Sequence, residues 1–269
     1  MDGLILFYKP KGWTNRDILS FFQIKLGNLN FGHGGKLDPA AEGLIIIGFG
    51  KINSRLMEFL QSKSRYEINL DLNKEIDTSE LQSVINFKFL KNRPKIESRT
   101  NYFLKNKKEE FIYNYEIFDH KHTYLALKIE VPAKFNIIAF INELARNLKI
   151  KAIVHKIKRV GINNLSANQA LEPNDFSGPI EISATLRGKV QGVGMRYLSY
   201  NAAKGLNLTG YAKNSGKGNI EILLQGNLIS LLKFQKEILA GTNSSKITGY
   251  EFIFRKLLKK RGEFVIEFD

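Results

Sequence analysis

At 269 residues the chain is long enough to bury a sizeable core and divides better into two domains than one. Its 41 lysines and arginines stand against 26 aspartates and glutamates, a formal net charge of +15 that favours a polyanionic partner, RNA first, through counterion release. With no cysteine, disulfides, thiolate nucleophiles and thiolate-bound zinc are excluded. The four scattered histidines offer no metal-binding spacing, no apolar run is long enough to cross a membrane, and no secretory pattern opens the chain, so a cytoplasmic protein without membrane or metal partner is expected.

Leu4 to Tyr8 has the pattern of a short strand, and Asn15 to Leu26 that of a helix with Ile18, Leu19, Phe22 and Leu26 on one stripe. From Gly32 to Lys51 a glycine-rich turn, Gly32-His33-Gly34-Gly35, precedes Asp38-Pro39 and the apolar run Leu44 to Ile47. Glycines permit close backbone approach, Pro39 fixes the chain, and a buried strand behind them would hold the loop rigid. That is a setting for a functional carboxylate, although a lone Asp-Pro is better read as a turn. Arg55 to Leu60 is helical in pattern, Arg65 to Leu72 strand-like, and Leu90 to Asn114 basic and poorly patterned, as in an insertion or an RNA-facing segment. Tyr124 to Val131 returns to strand alternation, Ile137 to Leu148 to a helix, and Ala152 to Val160 to a mixed pattern. Pro173 to Pro179 is a turn-rich joint.

Beyond the joint the pattern is strand (Thr185 to Val190), helix (Met195 to Lys204), hairpin (Leu208 to Lys213 with Asn219 to Leu224), helix (Leu228 to Leu239) and strand (Ile247 to Phe254). This is the ferredoxin-like βαββαβ order. Its first strand-to-helix turn carries Gly188-Lys189-Val190-Gln191-Gly192-Val193-Gly194-Met195-Arg196, where helix N–H groups, glycines and one arginine suit an anion. Glycines for tight packing and a surface arginine explain the turn equally well.

Two ordered segments, Lys9-Pro10-Lys11-Gly12-Trp13-Thr14-Asn15 and the run from Gly32 to Lys51, resemble the signatures of the TruB-type tRNA pseudouridine synthases. The resemblance continues more weakly through Arg65-Tyr66-Glu67, Ile76-Asp77-Thr78, Lys158-Arg159 and Leu165-Ser166-Ala167-Asn168-Gln169-Ala170. It implies isomerisation of a uridine in RNA, in that family the one at position 55 of the tRNA T-loop, with no cofactor or metal. Under it Asp38 is the nucleophile, Tyr66 stacks on the flipped uracil and His33 helps to extrude it. The family's basic partner of the aspartate falls on Ile138, within Lys134-Phe135-Asn136-Ile137-Ile138. A buried Asp38 without that partner would hold its proton too tightly for a nucleophile. Lys36, where the family usually has threonine, is expected to supply part of the missing charge or to meet an RNA phosphate.

The turn from Gly188 to Arg196, together with Gly210-Tyr211-Ala212-Lys213-Asn214 and Gly218-Asn219-Ile220-Glu221-Ile222, resembles acylphosphatase. That resemblance implies a small acyl phosphate as substrate, a phosphoryl cradle at Gln191, Gly192, Val193 and Gly194, phosphoryl binding by Arg196, and a water positioned by Asn214. The expectation is therefore an α+β chain. A pseudouridine synthase-type mixed-sheet domain spans residues 1–172, a linker 173–179 and a ferredoxin-like domain 180–269. Two other readings stay open: an RNA-binding but inactive first domain, and a second domain that is an RNA-binding appendage. The appendage is disfavoured because Ile220 to Leu224 lacks the stacking aromatics of an RNA-reading sheet.

Overall fold

The computed structural model describes residues 2–27, 29–59, 62–90, 111–216 and 218–268, so most of the basic segment expected from Leu90 to Asn114 lies outside the described residues. The chain opens with β1 (Gly3–Lys9) and α1 (Asn15–Leu26). A capping box starts α1: Thr14 Oγ accepts the Asp17 N–H at 3.2 Å, and the Asp17 carboxylate accepts the Thr14 N–H at 2.7 Å. β2 (Phe31–His33) and β3 (Glu42–Phe49) pair antiparallel and hold the Asp38 loop between them. A 3-10 turn over Gly50–Arg55 leads to the short α2 (Leu56–Phe59), followed by β4 (Lys63–Leu72) and α3 (Thr78–Ile85). The hairpin β5 (Asn114–Lys121) and β6 (Tyr124–Pro132), α4 (Ile137–Asn147), β7 (Ala152–Ile162) and β8 (Leu165–Ser166) complete the first half.

Pro173–Ser177, in the expected joint, is a 3-10 turn. After it come β9 (Ile180–Lys189), α5 (Met195–Gly205), β10 (Thr209–Ser215), β11 (Asn219–Gly226), α6 (Leu228–Ala240), β12 (Lys246–Arg255) and β13 (Phe264–Glu267). The strand order β13-β10-β11-β9-β12 is the ferredoxin-like sheet with one strand added at the β10 edge.

The sheets of the two halves are one sheet. β12 pairs parallel with β1, Leu4 opposite Ile253 and Ile5 opposite Phe254, and the ladder continues as β1-β3-β7-β4-β6-β5. One apolar core accordingly crosses the joint: Ile5, Phe7 and Phe49 of the first half share a cluster with Ile182, Phe252 and Phe254 of the second. Asp2 ties the halves by polar contacts as well, its carboxylate accepting the Lys51 N–H and the Tyr250 hydroxyl, while Gln235 of α6 donates to its carbonyl. Burial pushes the Asp2 carboxyl up, but the Tyr250 hydroxyl and the Lys51 N–H outweigh it and hold the carboxyl below its ordinary value. A second core, with Tyr66, Ile68, Phe140 and Ile157, lies wholly within the first half. No helix among the described residues is long and apolar enough to cross a membrane.

Candidate functional site

In the second half, the turn between β9 and α5 closes a small pocket of about 180 Å³. Gly192 and Gly194 stand at φ 68° and 80°, left-handed backbone that favours glycine, and they bring the turn's amides under the start of α5. Gly194 caps α5 without a side-chain bond, so the helix presents uncapped N–H groups and the positive end of its dipole. Gln191 braces the turn, donating from Nε2 to the carbonyls of Asn219 at 2.7 Å and Ser215 at 3.0 Å. The Val193 carbonyl accepts the Thr242 hydroxyl at 2.8 Å, and its side chain packs against the core rather than lining the pocket. Met195 is buried beneath, and Arg196 extends over the pocket with Nη1 3.4 Å from the Glu267 carbonyl and its guanidinium 5.0 Å from the Phe268 ring.

Asn214 faces this turn from β10, where it sits opposite Ile220. Its Oδ1 is buried and has no hydrogen-bond partner among the described residues. A buried amide oxygen left unpaired costs free energy unless something enters to satisfy it. The pocket thus combines free helix N–H groups, one guanidinium and one unsatisfied acceptor.

In the first half, four elements far apart in sequence meet around Asp38. Lys9, at the end of β1, is fully buried and donates from Nζ to the carbonyls of Trp13 at 2.9 Å, Pro10 at 3.0 Å and Pro39 at 3.5 Å. Burial pushes its ammonium down to about 8 against the opposing pull of Asp38, and the Arg159 charge adds to the fall. The Gly12 N–H also holds the Pro39 carbonyl, at 2.8 Å. Leu37 is buried as the loop's anchor, whereas Asp38 itself is exposed. Its Oδ1 accepts the Ala40 N–H at 2.8 Å and its carbonyl the Ala41 N–H at 3.0 Å, so Asp-Pro makes the turn that its local sequence predicts as well as presenting a carboxylate.

His33 ends β2 half-buried, and burial pushes its imidazole down, with Lys36 and Arg159 adding to the fall. Tyr66 of β4 is nearly buried, and its hydroxyl lies 3.5 Å from Nη1 of Arg159. Arg159 of β7 donates from Nε to the Leu44 carbonyl at 2.6 Å and from Nη1 to the Lys36 carbonyl at 3.1 Å. Gly43 makes that approach possible: its φ is 112°, and an added Cβ would stand 2.4 Å from the Arg159 carbonyl oxygen. Beside Tyr66 opens a groove of about 550 Å³ whose rim includes Arg65, Lys128, Lys158 and Asn168.

Two expectations change here. Asp38 is not buried, so the penalty foreseen for a buried carboxylate lacking Ile138's basic predecessor does not arise by that route. Lys36 is exposed and forms no ion pair with Asp38 among the described residues; what it contributes is its backbone carbonyl, to Arg159. Ile138, in the first turn of α4, packs against the second core. The residues missed from the sequence are Lys9 and Arg159, each quoted within a motif but given no role.

The comparisons with known proteins divide the chain in the same way. The acylphosphatase family model matches residues 182–266. The acylphosphatase of Clostridium beijerinckii is 37% identical over 89 residues, which is 33% of this chain and 99% of that protein. The chain belongs to the acylphosphatase family.

Upstream of this acylphosphatase domain, the model of the TruB family pseudouridylate synthase N-terminal domain matches residues 23–106. The tRNA pseudouridine synthase B of Gloeothece citriformis is 39% identical over 85 residues, 32% of this chain, and the chain spans only 27% of that relative's length. In fold, the chain is similar to the archaeal box H/ACA sRNP Nop10-Cbf5 complex, with a TM-score of 0.54 at 18% identity over 64% of this chain and 52% of that one. The chain thus joins a segment similar to the TruB family pseudouridylate synthases to an acylphosphatase domain. In the acylphosphatase domain the cradle residues Gln191, Gly192 and Gly194 line one pocket with Arg196 and Asn214.

Proposed function

We propose that the acylphosphatase domain hydrolyses small acyl phosphates without a metal. The observation that carries this reading is the buried, unpaired Oδ1 of Asn214 opposite an uncapped helix start. The phosphoryl oxygens would lie on the turn's N–H groups and the Arg196 guanidinium, which neutralise and orient them. Asn214 would accept a hydrogen bond from the attacking water and aim its lone pair at phosphorus. The P–O bond to the acyl group breaks, and the leaving carboxylate needs no proton because it is already a weak base. Hydrolysis of acetyl phosphate in the presence of a chelator tests this; an Asn214→Ala variant as fast as the wild type would reject the role of Asn214.

The second site supports a second activity in the same chain. We infer that the TruB-type domain isomerises a uridine of tRNA, at T-loop position 55 as in the family, with Asp38 as nucleophile. What favours it is an exposed carboxylate on a loop whose backbone is pinned from both sides, by Lys9 at Pro39 and by Arg159 at Lys36. The glycosidic C–N bond would break, the uracil turn and rejoin through carbon, with the flipped base held against Tyr66 and the space it leaves filled by His33. The net charge of +15 suits an RNA partner; the groove beside Tyr66 itself is mixed, with Arg65, Lys128 and Lys158 set among Glu67, Glu116 and Glu130. Mapping pseudouridines in tRNA transcripts incubated with wild type and with Asp38→Asn is the test: a single site that vanishes in the variant is expected, and no site with the wild type rejects the reading. On this division the synthase domain spans residues 1–172 and the acylphosphatase domain 180–269, with 173–179 between them.

A further inference from the structure

Arg159 is 1% exposed, yet none of its hydrogen bonds reaches a carboxylate among the described residues. A buried guanidinium without a counter-charge is costly and persists where the site uses it. Its bonds are distributed in a telling way. Nε and Nη1 hold the carbonyls of Leu44 and Lys36, which bracket Asp38 in sequence, and Nη1 also reaches the Tyr66 hydroxyl. Nη2 is buried with no partner among the described residues. One planar group therefore touches both ends of the Asp38 loop and the tyrosine beside it, with a donor left over.

On the reading that the first domain is a synthase, we propose that Arg159 is the positioning residue of its uridine site. It holds the loop from Lys36 to Leu44 and the Tyr66 hydroxyl in one frame, so that Asp38 and the tyrosine are presented to the base together. The charged side chains that share this frame are Lys9 from β1, whose ammonium feels Asp38, Arg159 and Glu42, and Lys36 from the loop itself. Lys9 is bound to three carbonyls and Lys36 is exposed, so neither side chain ties the loop to Tyr66. Removing the guanidinium should therefore leave the Asp38 loop and Tyr66 less fixed relative to each other.

The test is single-turnover tritium release from tRNA transcripts labelled at uridine C5, with RNA affinity measured separately and thermal melting as the folding control. Arg159→Met should lower the rate at saturating RNA by about 100-fold and leave RNA affinity within about threefold, a split that general loosening of the fold would not give. Arg159→Lys keeps the charge without the fork, so it should run about tenfold below wild type at saturating RNA. A wild-type rate in Arg159→Met, with Asp38→Asn inactive, overturns the positioning role and leaves the synthase reading standing. If Arg159→Met does not fold, Arg159→Lys decides alone: an unchanged rate overturns the proposal. If the wild type itself shows no turnover that depends on Asp38, the synthase reading falls, and the role of Arg159 falls with it.

Discussion

The two sites of this chain are built on opposite plans. The acylphosphatase pocket is made mostly by one turn and the start of its helix, Val190 to Tyr197, faced by Asn214 and Ile220 of the next hairpin and by Ile266 and Phe268. The Asp38 site gathers Lys9, the loop from His33 to Ala41, Tyr66 and Arg159 from strands that are neighbours only once the sheet is formed. The first plan stores its ligand chemistry in backbone amides and a helix end, which any sequence of the right shape provides. The second stores it in buried side-chain cations, which act only if distant strands meet in register. A compact site survives relocation into a new chain; a dispersed one depends on the whole sheet.

The comparison can be broken in three ways beyond the tests above. The largest effect is expected at Arg196: Arg196→Ala should reduce acetyl phosphate turnover by about 10²–10³-fold while leaving pseudouridine formation unchanged, measured on one preparation. A parallel loss of both activities would mean that the pockets are coupled through their shared core. Next in size, Gly43→Ala should destabilise the protein by about 2–3 kcal/mol, because its φ of 112° is strained for alanine and the added Cβ meets the Arg159 backbone. Urea titration reads this directly, and synthase activity should suffer more than hydrolysis. The smallest effect concerns Asp2. Its carboxyl is held below the ordinary value when folded, so its contribution to stability is present above about pH 4 and is lost as pH falls through the folded value. Asp2→Asn should thus lower stability by on the order of 1 kcal/mol near neutrality, and the gap to wild type should close in acid. A gap constant with pH would assign the loss to packing.

The same contrast governs how much could be read from the sequence. α1 falls on its expected residues, Asn15 to Leu26, because its apolar stripe and its Thr14 cap are local signals. The βαββαβ order was legible for the same reason, as was the turn carrying Arg196. β13 was missed: Phe264–Glu267 is short, follows the basic run ending at Arg261, and gains its place only by pairing parallel with β10. α3 was missed as well, though Asp77 caps it, because eight residues give little periodicity. Arg159 escaped notice for a physical reason. Lys156, Lys158 and Arg159 look like one solvated basic run, and nothing in β7 alone says that Arg159 turns inward; its burial is decided by Gly43, more than a hundred residues earlier. Lys9 is similar, since its three carbonyl partners come from loops whose paths the sequence does not state.

The parallel pairing of β1 with β12 has a bearing on how such a chain persists. Taken singly, each half would end in a strand with a free row of N–H and C=O groups, an open template for another molecule to add to. Placed together, the two rows satisfy each other, and Phe254 and Phe49 meet edge to face beside the seam with ring centroids 5.5 Å apart. Cutting the chain at its joint would therefore create two adhesive surfaces at once, and the separated pieces should self-associate where the whole protein stays dispersed.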